Sequence, residues 1–313
     1  DYDCDGIPGS VVLHDFFKKI KYEHFRNYIP HRHNEGYGLN IPAIESFAKD
    51  GVKLVITVDC GITDVMEVTR AHELGVDVIV TDHHLPQEVL PPAYAIINSK
   101  QIGDTYPDNM LCGAGVAWKL VSALLARYRE VWSVPEGWEK WLLDMAGLST
   151  IADMVPLQNE NRVLAYYGLK VLRMSRRPGL LKLLKKMAME QQYITEDDVG
   201  FMIGPRINAA SRMGVPFDAF RMLSTTDENL AEELATHLTD LNDTRKGMVA
   251  HMVKDARKHL EIRKTDETIR DVIVIGNPSW KPGLAGLVAS NISEAYGRTV
   301  FVWGRTDDGM IKG

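Results

Sequence analysis

Two β-branched runs, "VKLVITVD" (52–59) and "VDVIVTD" (76–82), constrain this chain more than any other feature. Both are short and rich in Val and Ile, the pattern of strands buried on both faces of a parallel sheet. Between them "TDVMEVTRAHELG" has helical periodicity, with Thr63 and Asp64 as cap residues and Gly75 as the stop. A strand, a helix and a second strand in so short a span predict a βαβ unit, and with it an α/β protein built on a parallel sheet. Ligands of such sheets gather at the carboxyl ends of the strands. There the sequence places Asp59 in "VDCG" and Asp82, His83 and His84 in "TDHH".

A second, smaller α/β unit follows further on. From Ala231 to about Lys264 the chain is rich in Glu, Ala, Leu, Lys and Arg with few breakers, which predicts one long, partly exposed connector helix. Beyond it "DVIVIG" and "TVFVWG" flank "GLAGLVASNISEAYG", a strand–helix–strand unit beginning near Asp266. A length of 313 residues with 45% apolar content supports two such cores. Cys4, Cys60 and Cys112 are odd in number and widely spaced, which argues against a disulfide framework and for a reducing cytoplasm. No apolar run is long enough to cross a bilayer, and the first residues are acidic rather than basic and then apolar, so neither a span nor a secretory signal is expected. The formal charge of −6 disfavours binding a polyanion over the whole surface. A nucleic acid would have to be met by a local basic track or by metal ions.

The acidic residues recur where such ions could sit. The chain opens on "DYDCDG", with Asp1, Asp3 and Asp5 at alternate positions, and "WLLDMAGLSTIADMVPL" reads as an apolar helix ending at Asp153 with Pro156 beyond it. Taken singly, each cluster has an ordinary alternative: a solvated acidic terminus, a helix cap, or a turn with satisfied imidazoles. Taken together, most of them follow or border the runs that deliver residues to one rim. Mixed Asp and His ligation without thiolate suits octahedral Mn²⁺ or Mg²⁺, and the histidine shifts the preference toward Mn²⁺. Five or more carboxylates exceed the needs of one divalent ion. Two ions sharing a bridging carboxylate, about 3.5–4 Å apart, would use them all.

"DYDCDG", "VDCGI", "TDHH" and "ADMVPL", in this order, resemble the four motifs of the DHH phosphoesterase superfamily. "IPHRHNEGYGL", "TDHHLPQEVLPPAYAIIN", "GAGVAWKL", "GPRINAASRMG" and "PGLAGLVAS" narrow the resemblance to its RecJ branch of single-strand-specific 5′→3′ DNA exonucleases, over nearly the whole chain. The resemblance implies a DHH domain with its helical part over 1–230, the connector over 231–264, and an incomplete DHHA1 domain over 265–313. It implies that Asp3 and Asp5 ligate one ion each, that Asp59 bridges the pair, and that His83 and Asp153 complete the second ion's shell, with Asp1 a weaker candidate. Asp82 and His84 would orient these ligands, since a ligating imidazole usually donates its other proton to a partner. The implied chemistry is in-line hydrolysis of a phosphodiester by ion-activated water, with no protein nucleophile; Cys4 and Cys60 read as packing residues.

Single-stranded DNA, the substrate so implied, needs positive charge beyond the metal centre. Arg206, Asn208 and Arg212 in "GPRINAASRMG" resemble the segment near the scissile nucleotide, and Arg32 has a similar claim. Tyr37 reads as a base-stacking residue or a loop anchor. "RMSRRPGLLKLLKK" is as consistent with a solvated helix face as with a DNA track. Lys281 in "SWKPGLAG" stands where the family commonly has histidine, at a helix start suited to a terminal phosphate across a narrow cleft between the domains. The chain reads as a fragment trimmed at both ends, lacking the family's 5′-end-capture loop and oligonucleotide-binding domain. A single-strand-binding protein or a helicase is the expected protein partner. Two other readings are a DHH phosphodiesterase acting on short oligoribonucleotides or cyclic dinucleotides, and a non-catalytic replication scaffold. Intact Asp3, Asp5, Asp59, His83 and Asp153 argue against the scaffold.

Overall fold

A computed structural model describes residues 1–32, 34–264, 271–306 and 309–313. The chain divides into two compact units, Asp1–Thr239 and Asp240–Gly313.

The first unit opens on helix α1 (Gly6–Lys19), which starts directly after the acidic cluster and is buried from Gly6 to Leu13. Then come α2 (Ile41–Lys49), β1 (Leu54–Ile56), α3 (Val65–Glu73), β2 (Asp77–Thr81) and β3 (Ala95–Ile97). The three strands are parallel in the order β1-β2-β3, so the expected βαβ unit is present and "AII" adds a strand to it. Burial on both faces holds best at the central β2. At the edge, Leu54 of β1 is 46% exposed because no described strand pairs beyond it. Ile44, Phe47, Ile62, Val68, Ala71, Val78 and Val80 form the core under α2 and α3. Gly75 ends α3 in the left-handed region, as expected, at φ 71°. Asp64 holds the cap position of α3 but makes no cap bond. Its carboxylate accepts Leu39 N–H instead, at 2.7 Å, and so anchors the loop that carries Tyr37.

Helices α4 (Gly113–Tyr128), α5 (Leu143–Ala152), α6 (Asn159–Leu172) and α7 (Pro178–Lys186) follow, with a 3₁₀ turn, Trp138–Leu142, leading into α5. A Cβ added at Gly147 of α5 would meet Gly168 Cα of α6 at 2.5 Å, so these helices touch backbone to backbone. The short α8 (Glu196–Asp198), held by a Thr195–Asp198 capping box, and a π turn, Val199–Ile203, lead into α9 (Gly204–Met213) and α10 (Pro216–Ser224). Most cations of the basic segment before and within α7 pair within the fold. Arg177 is sunk between Asp15 and Asp144, at 2.7 Å from each, while Lys182 and Lys186 pair with Glu228 and Glu232.

Helix α11 (Glu228–Lys264) is the predicted long helix, and the division at 239/240 falls inside it. Its later turns supply Met252, Ala256 and Leu260 to the second unit's core. The expected start of the second domain near residue 265 or Asp266 lies outside the described residues. In the second unit β4 (Val272–Gly276) and β5 (Thr299–Arg305) are parallel and flank α12 (Ala285–Tyr296), as read, and β6 (Ile311–Lys312) pairs antiparallel with β5. Among the described residues no helix is long and apolar enough to cross a membrane.

Candidate metal centre

The site is built at the carboxyl ends of β1 and β2. Three residues past β1, Asp59 adopts a left-handed backbone, φ 62°, which Asp tolerates better than most residues. Its N–H donates to Thr81 O at the end of β2, and its carbonyl accepts the Tyr37 hydroxyl at 2.8 Å. Past β2, buried Asp82 gathers four donors: Ile62 N–H on Oδ2, and His83 N–H, His84 N–H and His84 Nδ1 on Oδ1. Burial works against its charge, but these hydrogen bonds outweigh burial and hold its pKa below the usual value, while the same contact raises that of His84. Asp82 thus holds the backbone of the turn that carries His83 and His84. The end of β3 contributes what the sequence did not reveal: buried Asn98 donates to His84 O, and Lys100 nearby acts electrostatically on His83 and Asp153.

The opening aspartates meet this rim from the start of α1. Asp3 accepts Asp5 N–H and Gly6 N–H at 2.8 and 3.2 Å, so it shapes the turn into the helix. Asp5 is buried, and both its oxygens accept backbone N–H groups at the N-terminus of α4, from Gly113 at 2.5 Å and Ala114 at 2.7 Å. A helix N-terminus holds a carboxylate through its free N–H groups and partial positive charge. Only glycine fits at 113, because a Cβ there would come within 2.4 Å of Asp59 Cβ. This gives "GAGVAWKL" a physical role. Asp153 arrives as the C-cap of α5, as read.

Three overlapping groups of potential ligand atoms result: Asp1, Asp3 and Asp59; Asp5, His83 and Asp153; and Asp59, His83 and His84, each with its atoms within 4.8 Å of one another. His83 Nε2 lies 3.1 Å from Asp59 Oδ1, 3.5 Å from Asp5 and 3.8 Å from Asp153. Asp59 belongs to the first and third groups and touches His83, which belongs to the second and third. Among the described residues the buried Oδ1 of Asp59 accepts no hydrogen bond, and its nearest nitrogen is His83 Nε2 at 3.1 Å, although leaving a buried carboxylate oxygen without a hydrogen bond is costly. Burial and repulsion from Asp5 and Asp3 push its pKa well above the ordinary value. Burial and the charges of Asp153 and Asp3 raise Asp5 to about 7, and burial with Asp3 raises Asp153 to about 6. Burial and the charge of His84 lower His83 to about 4, leaving a neutral imidazole at neutral pH. Crowded carboxylates, a neutral imidazole and a buried carboxylate oxygen without a hydrogen bond fit Mn²⁺ or Mg²⁺.

The predicted nucleic-acid residues divide. Arg32 stacks over Tyr2 at 5.1 Å and, with Arg212, lowers that phenol's pKa against the larger effect of burial, so both cations border the acidic turn. Tyr37 is a loop anchor, with its ring edge-on to Tyr2 and His84. Arg206 is only 6% exposed and donates to Met202 O in the turn before it. Asn208 accepts Cys4 N–H at 2.8 Å. Lys281 is exposed in the second unit, before a 3₁₀ turn, Pro282–Leu284, that runs into α12. Cys4, Cys60 and Cys112 are free and buried, in keeping with the packing role read for Cys4 and Cys60.

Fold and site together define an α/β protein that collects carboxylates and imidazoles at its strand ends in groups that could hold divalent cations. Residues 1–149 match the N-terminal domain of the DHH family. The whole chain is 42% identical over 315 residues to the single-stranded-DNA-specific exonuclease RecJ of Bacillus subtilis strain 168, spanning 38% of that protein. A crystal structure of exonuclease RecJ bound to manganese superposes with a TM-score of 0.82 at 34% identity, covering 97% of this chain and 74% of the other. RecJ from Thermus thermophilus in complex with Mn²⁺ gives 0.80 at 32% identity, covering 97% and 42%. The chain belongs to the DHH family, on its RecJ branch.

Proposed function

We propose that this chain carries the hydrolytic core of a metal-dependent exonuclease that removes mononucleotides from single-stranded DNA in the 5′→3′ direction, in DNA repair and recombination. The observation that carries the reading is Asp59, shared by two groups of candidate ligands, with a buried Oδ1 that accepts no hydrogen bond among the described residues and lies 3.1 Å from His83 Nε2. Asp3 and Asp59, with Asp1 beside them, would hold one ion; Asp5, His83 and Asp153 would hold the other. Bound Mn²⁺ or Mg²⁺ supplies the charge that neutralises the carboxylates and polarises water and the phosphoryl oxygens. The chain's own contribution is placement. Asp82 fixes the turn that carries His83 and His84, the α4 N-terminus fixes Asp5, and Arg32 and Arg212 put positive charge beside the acidic turn, where a phosphodiester would lie. The two RecJ structures solved with manganese support the choice of ion.

The test compares 5′-labelled single-stranded DNA, a duplex and a dinucleotide, each with Mn²⁺ and with chelator. Mononucleotides released from the labelled end of single strands, with Mn²⁺ only, are expected. Hydrolysis of the dinucleotide alone would replace this reading by the short-oligonucleotide phosphodiesterase, and no hydrolysis with metal bound would leave the scaffold. A single-strand-binding protein or a helicase as partner follows from the exonuclease reading, and a cytoplasmic location from the three free cysteines.

A further inference from the structure

Cys4 lies between two of the candidate ligands, Asp3 and Asp5, and both of its backbone polar groups are held by side chains distant in sequence. Ser149 Oγ of α5 donates to Cys4 O at 3.1 Å, and Cys4 N–H donates to Asn208 Oδ1 of α9 at 2.8 Å. Cys4 is 3% exposed and Ser149 0%. A serine or threonine inside a helix commonly bonds back to the carbonyl one turn earlier. The adjacent Thr150 does so, donating to Ala146 O at 2.7 Å. Ser149 instead reaches out of its own helix. The Ser149 carbonyl accepts Asp153 N–H at 2.8 Å, so this residue touches both limbs of the metal centre: the acidic turn through its hydroxyl and the Asp153 cap through its backbone. Asn208 holds the same residue from a third helix, at whose start a Cβ added at Gly204 would meet Ala152 Cβ at 3.5 Å and Cys4 Sγ at 3.6 Å.

We propose that Ser149 and Asn208 are positioning residues that clamp Cys4 and set the separation of Asp3 and Asp5 from Asp153. The inference rests on the two-ion reading and adds to it what sets the distance between the ligands. It gives Asn208 a role in the metal site rather than at the DNA, and Ser149 a role that no sequence motif indicated. Partners that orient metal ligands typically contribute 10–100-fold to metal affinity or activity.

Mn²⁺ affinity, measured by electron paramagnetic resonance on the whole chain, is the primary readout, with melting temperature in chelator and the separate kcat and KM on single-stranded DNA beside it. Ser149→Ala and Asn208→Ala should each weaken Mn²⁺ binding about tenfold or more and lower kcat, with KM unchanged. Thr150→Ala, which removes a hydroxyl that bonds back to Ala146 O and, outside its own helix, meets Cys112 Sγ at 3.6 Å but not the Asp3–Asp5 turn, should leave Mn²⁺ affinity unchanged. Should Ser149→Ala fail to fold, Asn208→Ala, on a half-buried side chain, carries the test alone. Mn²⁺ affinity within twofold of the unaltered chain in the folded variants would overturn the clamp. So would a loss matched by Thr150→Ala, which would mark general loosening of α5. Failure of the unaltered chain to bind Mn²⁺ would overturn the two-ion reading and the clamp with it, and is distinguishable from either result.

Discussion

Asp59 brings structure and chemistry together at a single residue. Its carboxylate is buried, raised in pKa by burial and by Asp5 and Asp3, and without a hydrogen bond at Oδ1 among the described residues. Removing it should relieve the metal-free fold while emptying the position shared by two of the ligand groups. Asp59→Ala is therefore expected to melt in chelator no lower than the unaltered protein and to lose its hydrolytic turnover; more than about a tenth of the original kcat, a barrier change under about 1.4 kcal/mol, would remove Asp59 from the bridge. The pH dependence has a definite sign. Asp5, at about 7, and Asp59 hold protons in the folded chain that the unfolded chain has already released, so their contribution is present at low pH and lost as pH rises through their folded values. His83, lowered to about 4 from 6.5, acts oppositely, but only below about pH 6.5. Between about pH 6.5 and 7.5 the metal-free protein should lose stability, and saturating Mn²⁺ should reverse the trend because metal binding favours the deprotonated ligands. Thermal melts at pH 6.5 and 7.5, with chelator and with Mn²⁺, check both signs. A chelated protein that melts higher at pH 7.5 would contradict the assignment.

Among the elements, α4 matters most, because its N-terminus holds Asp5 and its first residue lies against Asp59. A side chain at 113 must displace Asp59, since the two Cβ atoms would be 2.4 Å apart. At Gly115 a Cβ meets nothing closer than Leu164 Cδ1, at 3.4 Å. Gly113→Ala should lower Mn²⁺ affinity at least tenfold and stability by about 1–3 kcal/mol, as overpacked sites do, while Gly115→Ala keeps both near their original values. Calorimetric titration of Mn²⁺ and thermal melts on the two variants provide the comparison. Much at this scale was legible. α3 between β1 and β2, and α12 between β4 and β5, follow from β-branched runs flanking a helical period, and α5 ends at Asp153 as its apolar pattern implies. The Asp64 carboxylate that leaves its helix cap for Leu39 N–H was not legible, because two acceptable partners compete for one side chain and only the fold brings the second near.

For the molecule as a whole, a formal charge of −6 stands against the proposed polyanionic substrate. Most of the cations in the basic segment near α7 are spent within the fold, with Arg177 between Asp15 and Asp144, Arg173 on Ile194 O, and Lys182 and Lys186 on Glu228 and Glu232. Attraction of DNA to the first unit then depends on the ions and the few cations beside the acidic turn. Affinity for single strands, measured by fluorescence anisotropy in a variant that hydrolyses nothing, such as His83→Ala, should rise when Mn²⁺ replaces chelator and fall steeply with salt. Equal affinity in Mn²⁺ and in chelator would place binding on cations elsewhere in the chain.

By itself the sequence determined the α/β class, the β1–α3–β2 unit and the end of α5 at Asp153, and which carboxylates and imidazoles are candidate ligands, because hydrophobic period and residue chemistry are local properties. Only the tertiary structure decided what surrounds them. It put the start of α4 under Asp5 and Ser149 and Asn208 on either side of Cys4, and it turned Arg206 and Arg177 inward. Those contacts join residues more than a hundred positions apart, as from Cys4 to Ser149 and Asn208, or tens apart, as from Arg177 to Asp144. No periodicity along the chain records which distant donor and acceptor will meet; that is settled when helices pack closely enough that each buried polar group must find a partner.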